Sequence, residues 1–328
     1  IPELVSNAGE HPLSAGALRR IVWLFHCLAG LPVGGKQRSG QTTAVGEARR
    51  AQTRCSGPNF ETLMNRCEAN GLRYYQFEGL PADQVDHAVF TRLGGASSGA
   101  YSALNLGGTV GDKPEAVVEN HRRLFKAAGR DYESRFDVWQ VHGTTMVYSD
   151  QPRSQDQKHQ PGDGIFTDNP EVTLIMRFAD CVPLVLYDPV NRAVGLVHAG
   201  WQGTLLRIGE LAVDYMRERF NSDPANLFAG IGPSICGSCY EVGEDVRERF
   251  LKTFEADGRS FFSERNGSLY LDLWGANAYS LRKAGVRQIE QSGLCTAENL
   301  DEWYSYRKEK GFTGRFGVVI GLKHAEHK

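Results

Sequence analysis

Residues 178–203, FADCVPLVLYDPVNRAVGLVHAGWQG, constrain the fold of this 328-residue chain more than any other stretch. Two apolar runs, 184–187 (LVLY) and 193–198 (AVGLVH), flank the turn-forming group Asp188-Pro189-Val190-Asn191, which predicts a β-hairpin. In an antiparallel pair, facing positions share a constant index sum. A loop centred between Pro189 and Val190 then sets Asp188 opposite Asn191 and Cys181 opposite His198. Directly opposed residues share a face with Cβ atoms about 4.5–5.5 Å apart, so a thiol and an imidazole meet.

Three chemistries fit such a pair. It is a buried thiol beside a core histidine, a cysteine nucleophile with its histidine base, or two ligands of a soft metal, zinc or copper(I). A third donor would separate them. His142 is the candidate, because it ends the strand-like run Asp137-Val138-Trp139-Gln140-Val141-His142-Gly143 beside a glycine, where side chains reach a sheet edge.

With 41% hydrophobic and 23% charged residues, the chain can bury one large core or two modest ones. A net charge of −2 provides no global basic field, so neither nucleic acid nor an anionic membrane is an expected partner. Seven cysteines, an odd number in a long chain, argue against a disulfide framework and for a reducing, cytoplasmic setting. No apolar run reaches the roughly 18–20 residues of a membrane span. The run 21–33, behind Arg19 and Arg20, has the look of a signal peptide placed too far inward, and residues 19–54 are acid-poor and Arg-rich. Residues 1–63 are therefore expected to be a disordered extension, a targeting segment or a mis-assigned start, ahead of a single catalytic domain over 64–328.

Past Met64, strand candidates and turns alternate. The strand 85–91 runs into Arg92 and a Gly-Ser loop containing Gly94-Gly95, whose amides could cradle an anion; Asn105 follows. A helix is predicted over 113–128 with Asp112 as N-cap and Pro114 in its first turn, leaving His121 on the solvated face. A strand pair is expected over 138–148, His159 in a polar loop, Asp163 in a constrained turn and a strand over 172–178. One helix over 203–220 would start beside the presumed site and lend it partial positive charge. Cys236-Gly237-Ser238-Cys239 has C-x-x-C spacing, but with no second pair it is not read as a zinc or redox site. Helices over 243–254 and 271–284, a strand over 288–295 and a closing strand over 316–320 complete the pattern.

Six ordered motifs resemble one family. They are Phe90-Thr91-Arg92-Leu93-Gly94-Gly95, Gln140-Val141-His142-Gly143, Gly162-Asp163-Gly164, Ala179-Asp180-Cys181-Val182-Pro183, Val197-His198-Ala199-Gly200-Trp201 and Ile231-Gly232-Pro233-Ser234-Ile235. They occur in the order seen in the bacterial laccase-domain family, also called polyphenol oxidase, purine nucleoside phosphorylase or peptidoglycan editing factor. Cys295-Thr296 and Ser305-Tyr306-Arg307 fit the same family's C-terminal pattern, so the resemblance covers residues 70–322.

The resemblance implies an α+β fold of central mixed β-sheets flanked by helices, and a metal held by His142, Cys181 and His198. Three protein ligands with an open fourth position describe a catalytic zinc site. It also implies phosphorolysis of adenosine, inosine and methylthioadenosine, and deamination of adenosine, by a monomer or homodimer acting on purine nucleosides and phosphate. Asp163 or Asp180 would carry a proton. Arg92, Asn105, Gln140 and Arg307 would bind substrate, with Arg92, the Gly94-Gly95 loop and Arg307 placing the phosphate. Nine histidines with no His-x-His pair cannot build a trinuclear copper centre, although a single N/S site takes copper readily and copper loading would allow phenol oxidation. Two other readings stand beside this one: an amidase editing peptidoglycan precursors, with Cys181 and His198 as nucleophile and base, and a non-catalytic nucleotide-binding module.

Overall fold

The computed structural model of the chain describes residues 64–154 and 156–325, so the expectations for the extension over 1–63 fall outside the described residues. The first half contributes β1 (Met64–Ala69), β2 (Leu72–Phe77), β3 (Val85–Phe90), α1 (Pro114–Ala127), β4 (Arg135–Phe136), β5 (Met146–Tyr148), β6 (Gly164–Thr167), β7 (Thr173–Phe178), β8 (Val182–Asp188) and β9 (Ala193–Ala199). The second half adds α2 (Trp201–Leu205), α3 (Ile208–Phe220), β10 (Phe228–Ile231), β11 (Glu241–Val242), α4 (Glu244–Phe254), β12 (Phe262–Arg265), β13 (Ser268–Leu271), α5 (Leu273–Lys283), β14 (Gln288–Gln291) and β15 (Phe316–Leu322).

Two six-stranded mixed sheets, ordered β1-β2-β3-β15-β7-β4 and β14-β10-β8-β9-β6-β5, carry the fold, with a small sheet β11-β13-β12 beside them. This is the expected α+β architecture. Every residue of β8 and β9 is buried, as continuous apolar runs require when both faces of a sheet are covered. Val185, Tyr187, Val194 and Leu196 face the other sheet and join Leu174, Met176, Val318 and Ile320. Leu184, Leu186 and Val197 face the opposite way, against Ile208, Ala212 and Met216 of α3 and Leu281 of α5. Helix α1 covers the outer side of the first sheet through Leu124 and Phe125. A leucine so enclosed contributes roughly 1.5–3 kcal/mol relative to exposure.

The hairpin exists, but its register differs from the one expected. Asp188 pairs with Ala193 and Pro183 with His198, two positions away from the predicted pairing. The loop is four residues long because the Asp188 carboxylate accepts hydrogen bonds from Val190 N and Asn191 N, and Arg192 closes it in the left-handed region at φ 50°. A shift of two keeps the face, so Cys181 and His198 still point into the space between the sheets, as diagonal rather than opposed neighbours.

Other differences have local causes. The helix expected over 203–220 begins at Trp201 and breaks into α2 and α3, because Arg207 sits at φ 58°. Lys113 rather than Asp112 occupies the N-cap of α1, and the Asp112 carboxylate accepts from Ser97 and Asn105 instead. His121 is buried, not solvated: it lies on the inner side of α1 with Nε2 3.1 Å from the Leu106 carbonyl. Of the strand pair expected over 138–148 only β5 forms.

Candidate metal and active site

The segment carrying His142 is irregular, pairing only through a bridge between Trp139 and Pro161. His142 adopts φ 60°, a conformation costly for any residue but glycine. The resulting bend turns three amides toward one carboxylate. Asp163 Oδ1 accepts from His142 N at 3.0 Å, and Oδ2 accepts from Gly143 N at 2.7 Å and Val141 N at 3.2 Å. The same Oδ1 lies 2.8 Å from His198 Nδ1. That contact fixes the ring and leaves its Nε2 for Cys181.

Cys181 follows Asp180, which is held at φ 81° by a hydrogen bond from Ile235 N to its carbonyl. The donor atoms of His142, Cys181 and His198 all lie within 4.8 Å of one another, and the two imidazoles meet edge to face at 4.7 Å. Gly200 makes room for them. A Cβ there would stand 3.1 Å from Cys181 Sγ and 3.1 Å from His142 Cδ2.

Electrostatics follow from this packing. Burial opposes ionisation of Cys181, but the His198 charge and hydrogen bonds from both histidines bring its thiol down to about 6. Burial likewise disfavours a charged His198, yet the Cys181 thiolate and Asp163 raise it to about 9. The two shifts have one cause, since thiol and imidazole each favour the charged form of the other. Burial works against the Asp163 carboxylate too, and the His198 and amide hydrogen bonds hold its pKa below the usual value. A soft cation suits this donor set, since it needs a thiolate and imidazole nitrogens oriented by partners behind them.

The cluster lies in a cavity of about 640 Å³. Sequence reasoning did not reach several of its walls: the exposed Trp139 and Tyr306 rings, Tyr240, Trp201 and Arg315. Arg315 donates to the carbonyls of Thr313 and Gly314, and no carboxylate pairs with it among the described residues. The signal available was its place just ahead of the closing strand. Arg177 also lines the cavity, but Asp137 engages it at 2.7 Å, together with Arg153 and His159. The loop histidine His159 therefore has a structural role that its polar setting concealed.

The expected substrate residues divide. Arg307 lines the cavity, its guanidinium 4.7 Å from the Tyr240 ring centre and Nη1 on the Glu241 carbonyl. Asp180 lines it as well; burial raises its carboxyl, and its oxygens accept from Thr296 Oγ1 and Arg307 N at 2.7 Å each. Gln140 reaches the cavity, but its amide is spent on the Arg177 backbone, holding the His142 segment to β7. Asn105 does not reach it. That residue is fully buried, and its Oδ1 accepts from Gly107 N and Arg315 N, so it positions a cavity loop and Arg315. Arg92 lies outside the cavity, satisfied by the carbonyls of Ser102, Leu300 and Trp303 and by Glu309. The Gly94-Gly95 loop is no anion cradle either, because Gly95 packs against the Ala103 backbone. Asp163 has no exposed surface and is committed to orienting the histidines.

Residues 86–323 match the family described as multi-copper polyphenol oxidoreductase laccase. A Deinococcus radiodurans protein named purine nucleoside phosphorylase is 41% identical over 242 residues, covering 74% of this chain and 91% of the relative. Purine nucleoside phosphorylase YlmD of Bacillus subtilis is 35% identical over 243 residues, covering 72% and 87%. Among solved structures, YlmD from Geobacillus stearothermophilus superposes with a TM-score of 0.75 at 32% identity, over 80% of this chain and all of that one. A hypothetical protein YfiH of Bacillus licheniformis gives 0.73 at 32% identity, over 78% and 98%. Among the described residues, no helix is long and apolar enough to cross a membrane. With the match taking in every strand from β3 onward and the donor cluster between the sheets, this chain belongs to the multi-copper polyphenol oxidoreductase laccase family.

Proposed function

We propose that the chain is a zinc-dependent purine nucleoside phosphorylase that also deaminates adenosine. The observation that carries this reading is the His142–Cys181–His198 cluster at the wall of a cavity that combines aromatic faces with three arginines, of which Asp137 engages Arg177. The names of the relatives point to the same substrates. Bound zinc would supply a Lewis acid and a water whose pKa falls to about 7.

The remaining work belongs to the chain's own side chains. Trp139 and Tyr306, both about half exposed, offer flat apolar faces for a purine ring. Arg307 and Arg315 replace Arg92 as the phosphate partners, Arg315 held in place by Asn105. Asp180 is the cavity carboxyl whose pKa burial raises, and it would give or take the proton. Asp163 keeps His198 Nδ1 occupied, so that Nε2 stays directed at the cluster.

Incubation of the purified chain with adenosine or inosine and phosphate should yield free base and ribose 1-phosphate. Adenosine alone should yield inosine. Both activities should vanish on chelation and return with zinc; absence of base release in the presence of zinc and phosphate would sink the proposal. Copper loading should add only slow phenol oxidation. One observation favours a second reading, an amidase: the Cys181 thiol and the His198 imidazole lie within 4.8 Å of each other, with Asp163 holding the ring, as a nucleophile and its base would. Amide hydrolysis that survives chelation and stops on thiol alkylation would select it.

A further inference from the structure

A second donor cluster lies behind the cavity wall. Cys236, Cys239, Cys295 and Glu298 place one ligand atom each within 4.8 Å of all the others. The C-x-x-C turn is tight, with Cys239 N and Tyr240 N both bonded to the Cys236 carbonyl. Gly237 lets this turn press on Asp272, where a Cβ would come within 2.9 Å. The second half of the cluster arrives from 59 residues away. A parallel bridge joins Ser234 to Cys295, and Cys236 N donates to Cys295 Sγ at 3.4 Å.

We propose that Cys236, Cys239, Cys295 and Glu298 form a second metal site, separate from the first, that takes a soft divalent cation of the zinc class and clasps two turns together. The geometry fits such an ion. With Zn–S near 2.3 Å and Zn–O near 2.0–2.2 Å, tetrahedral edges are about 3.8 Å for S···S and about 3.5 Å for S···O. Glu298 Oε1 stands 3.5 Å from Cys239 Sγ and 3.8 Å from Cys236 Sγ. Four protein donors complete a tetrahedron, which marks a structural site. Cys236 and Cys295 are buried while Glu298 is exposed, so the carboxylate side is the way in. The turns clasped are those that shape the cavity: Ile235 and Tyr240 line it, and Thr296, next to Cys295, holds Asp180.

The test uses the full chain carrying His142→Ala and His198→Ala, so that the first cluster cannot report and the outcome does not depend on the proposed activity. Stripped of metal under reductant and titrated with cobalt(II), this protein should take up one equivalent. The complex should show tetrahedral ligand-field bands and a thiolate-to-cobalt charge-transfer band of three-sulfur intensity, and zinc should displace the cobalt. Zinc should also raise the Tm by roughly 5–10 °C. Adding Cys295→Ser should weaken cobalt binding at least about tenfold and remove about a third of the charge-transfer intensity. Adding Glu298→Gln, which keeps all three thiols and tests the site even if the serine variant fails to fold, should retain the band and weaken binding by about tenfold. The proposal is overturned by the absence of cobalt uptake in the double-histidine background, by affinities that neither added substitution changes, or by a disulfide among these cysteines in protein purified under reductant.

Discussion

The two sulfur-bearing clusters differ in how many donors the protein supplies and in what lies beside them. His142, Cys181 and His198 provide three donors, the exposed His142 on one side, and open onto the cavity. Cys236, Cys239, Cys295 and Glu298 provide four and none of them lines it. A missing fourth ligand is what a reaction needs, and a complete set is what a clasp needs. The backbone reflects the same division. Asp180 and His142 both hold positive φ beside the open cluster, where the geometry of the donors is imposed against local preference, whereas Cys236 and Cys239 sit in an ordinary hydrogen-bonded turn.

The sharpest way to break this contrast is to remove one thiol from each cluster. Cys181→Ala should lower phosphorolysis by about a thousandfold or more while leaving thermal unfolding nearly unchanged. Cys295→Ser should do the reverse, lowering the Tm with kcat within about tenfold of the parent. Equal kinetic damage from both would erase the distinction. Asp163→Asn comes next. It keeps the size of a side chain whose oxygens serve His198 and three amides but removes its charge, and metal affinity or activity should fall about 10–100-fold, read by zinc competition against a chelating dye.

A smaller effect is expected from Gly200→Ala. Gly200 has φ −73°, which any residue adopts, so the substitution brings no backbone strain and only inserts a methyl 3.1 Å from Cys181 Sγ. Zinc affinity of the first cluster should drop by about tenfold, with cobalt uptake by the second unchanged.

The least dramatic prediction concerns histidines in neither cluster. Burial lowers both His87 and His121 to about 4. His87 Nε2 accepts from Phe77 N, and the other ring nitrogen of each histidine has no hydrogen-bond partner among the described residues. Between pH 6.5 and 4 the unfolded chain therefore binds more protons than the folded one, so stability falls as pH falls through that window and levels off below it. The loss should be on the order of 1–3 kcal/mol per histidine in denaturant titrations. An acid-insensitive stability between those values would show that these rings are not held neutral.

Local patterning made the centre of the fold legible. The apolar runs that become β8 and β9 announce strands covered on both sides, and period-two alternation put Cys181 and His198 on one face even though the pairing was misjudged by two residues. His142 was reached for the wrong local reason, since it ends no strand and instead occupies a left-handed bend. The remaining features depend on contacts that no neighbouring residue encodes. Arg92 looked like an anion ligand until Glu309 and the carbonyls of Leu300 and Trp303 from a distant segment, with that of Ser102, satisfied it, and Arg315 became a cavity cation because Asn105 captures its backbone. The C-x-x-C pair lacked a second half only along the chain; the parallel bridge from Ser234 to Cys295 supplies it in space. Periodicity is read from adjacent residues, which is why faces and elements could be recognised early. Parallel pairing and long-range capture of polar groups have no such local signature, so ligand sets and cavity walls emerge once the two sheets have packed.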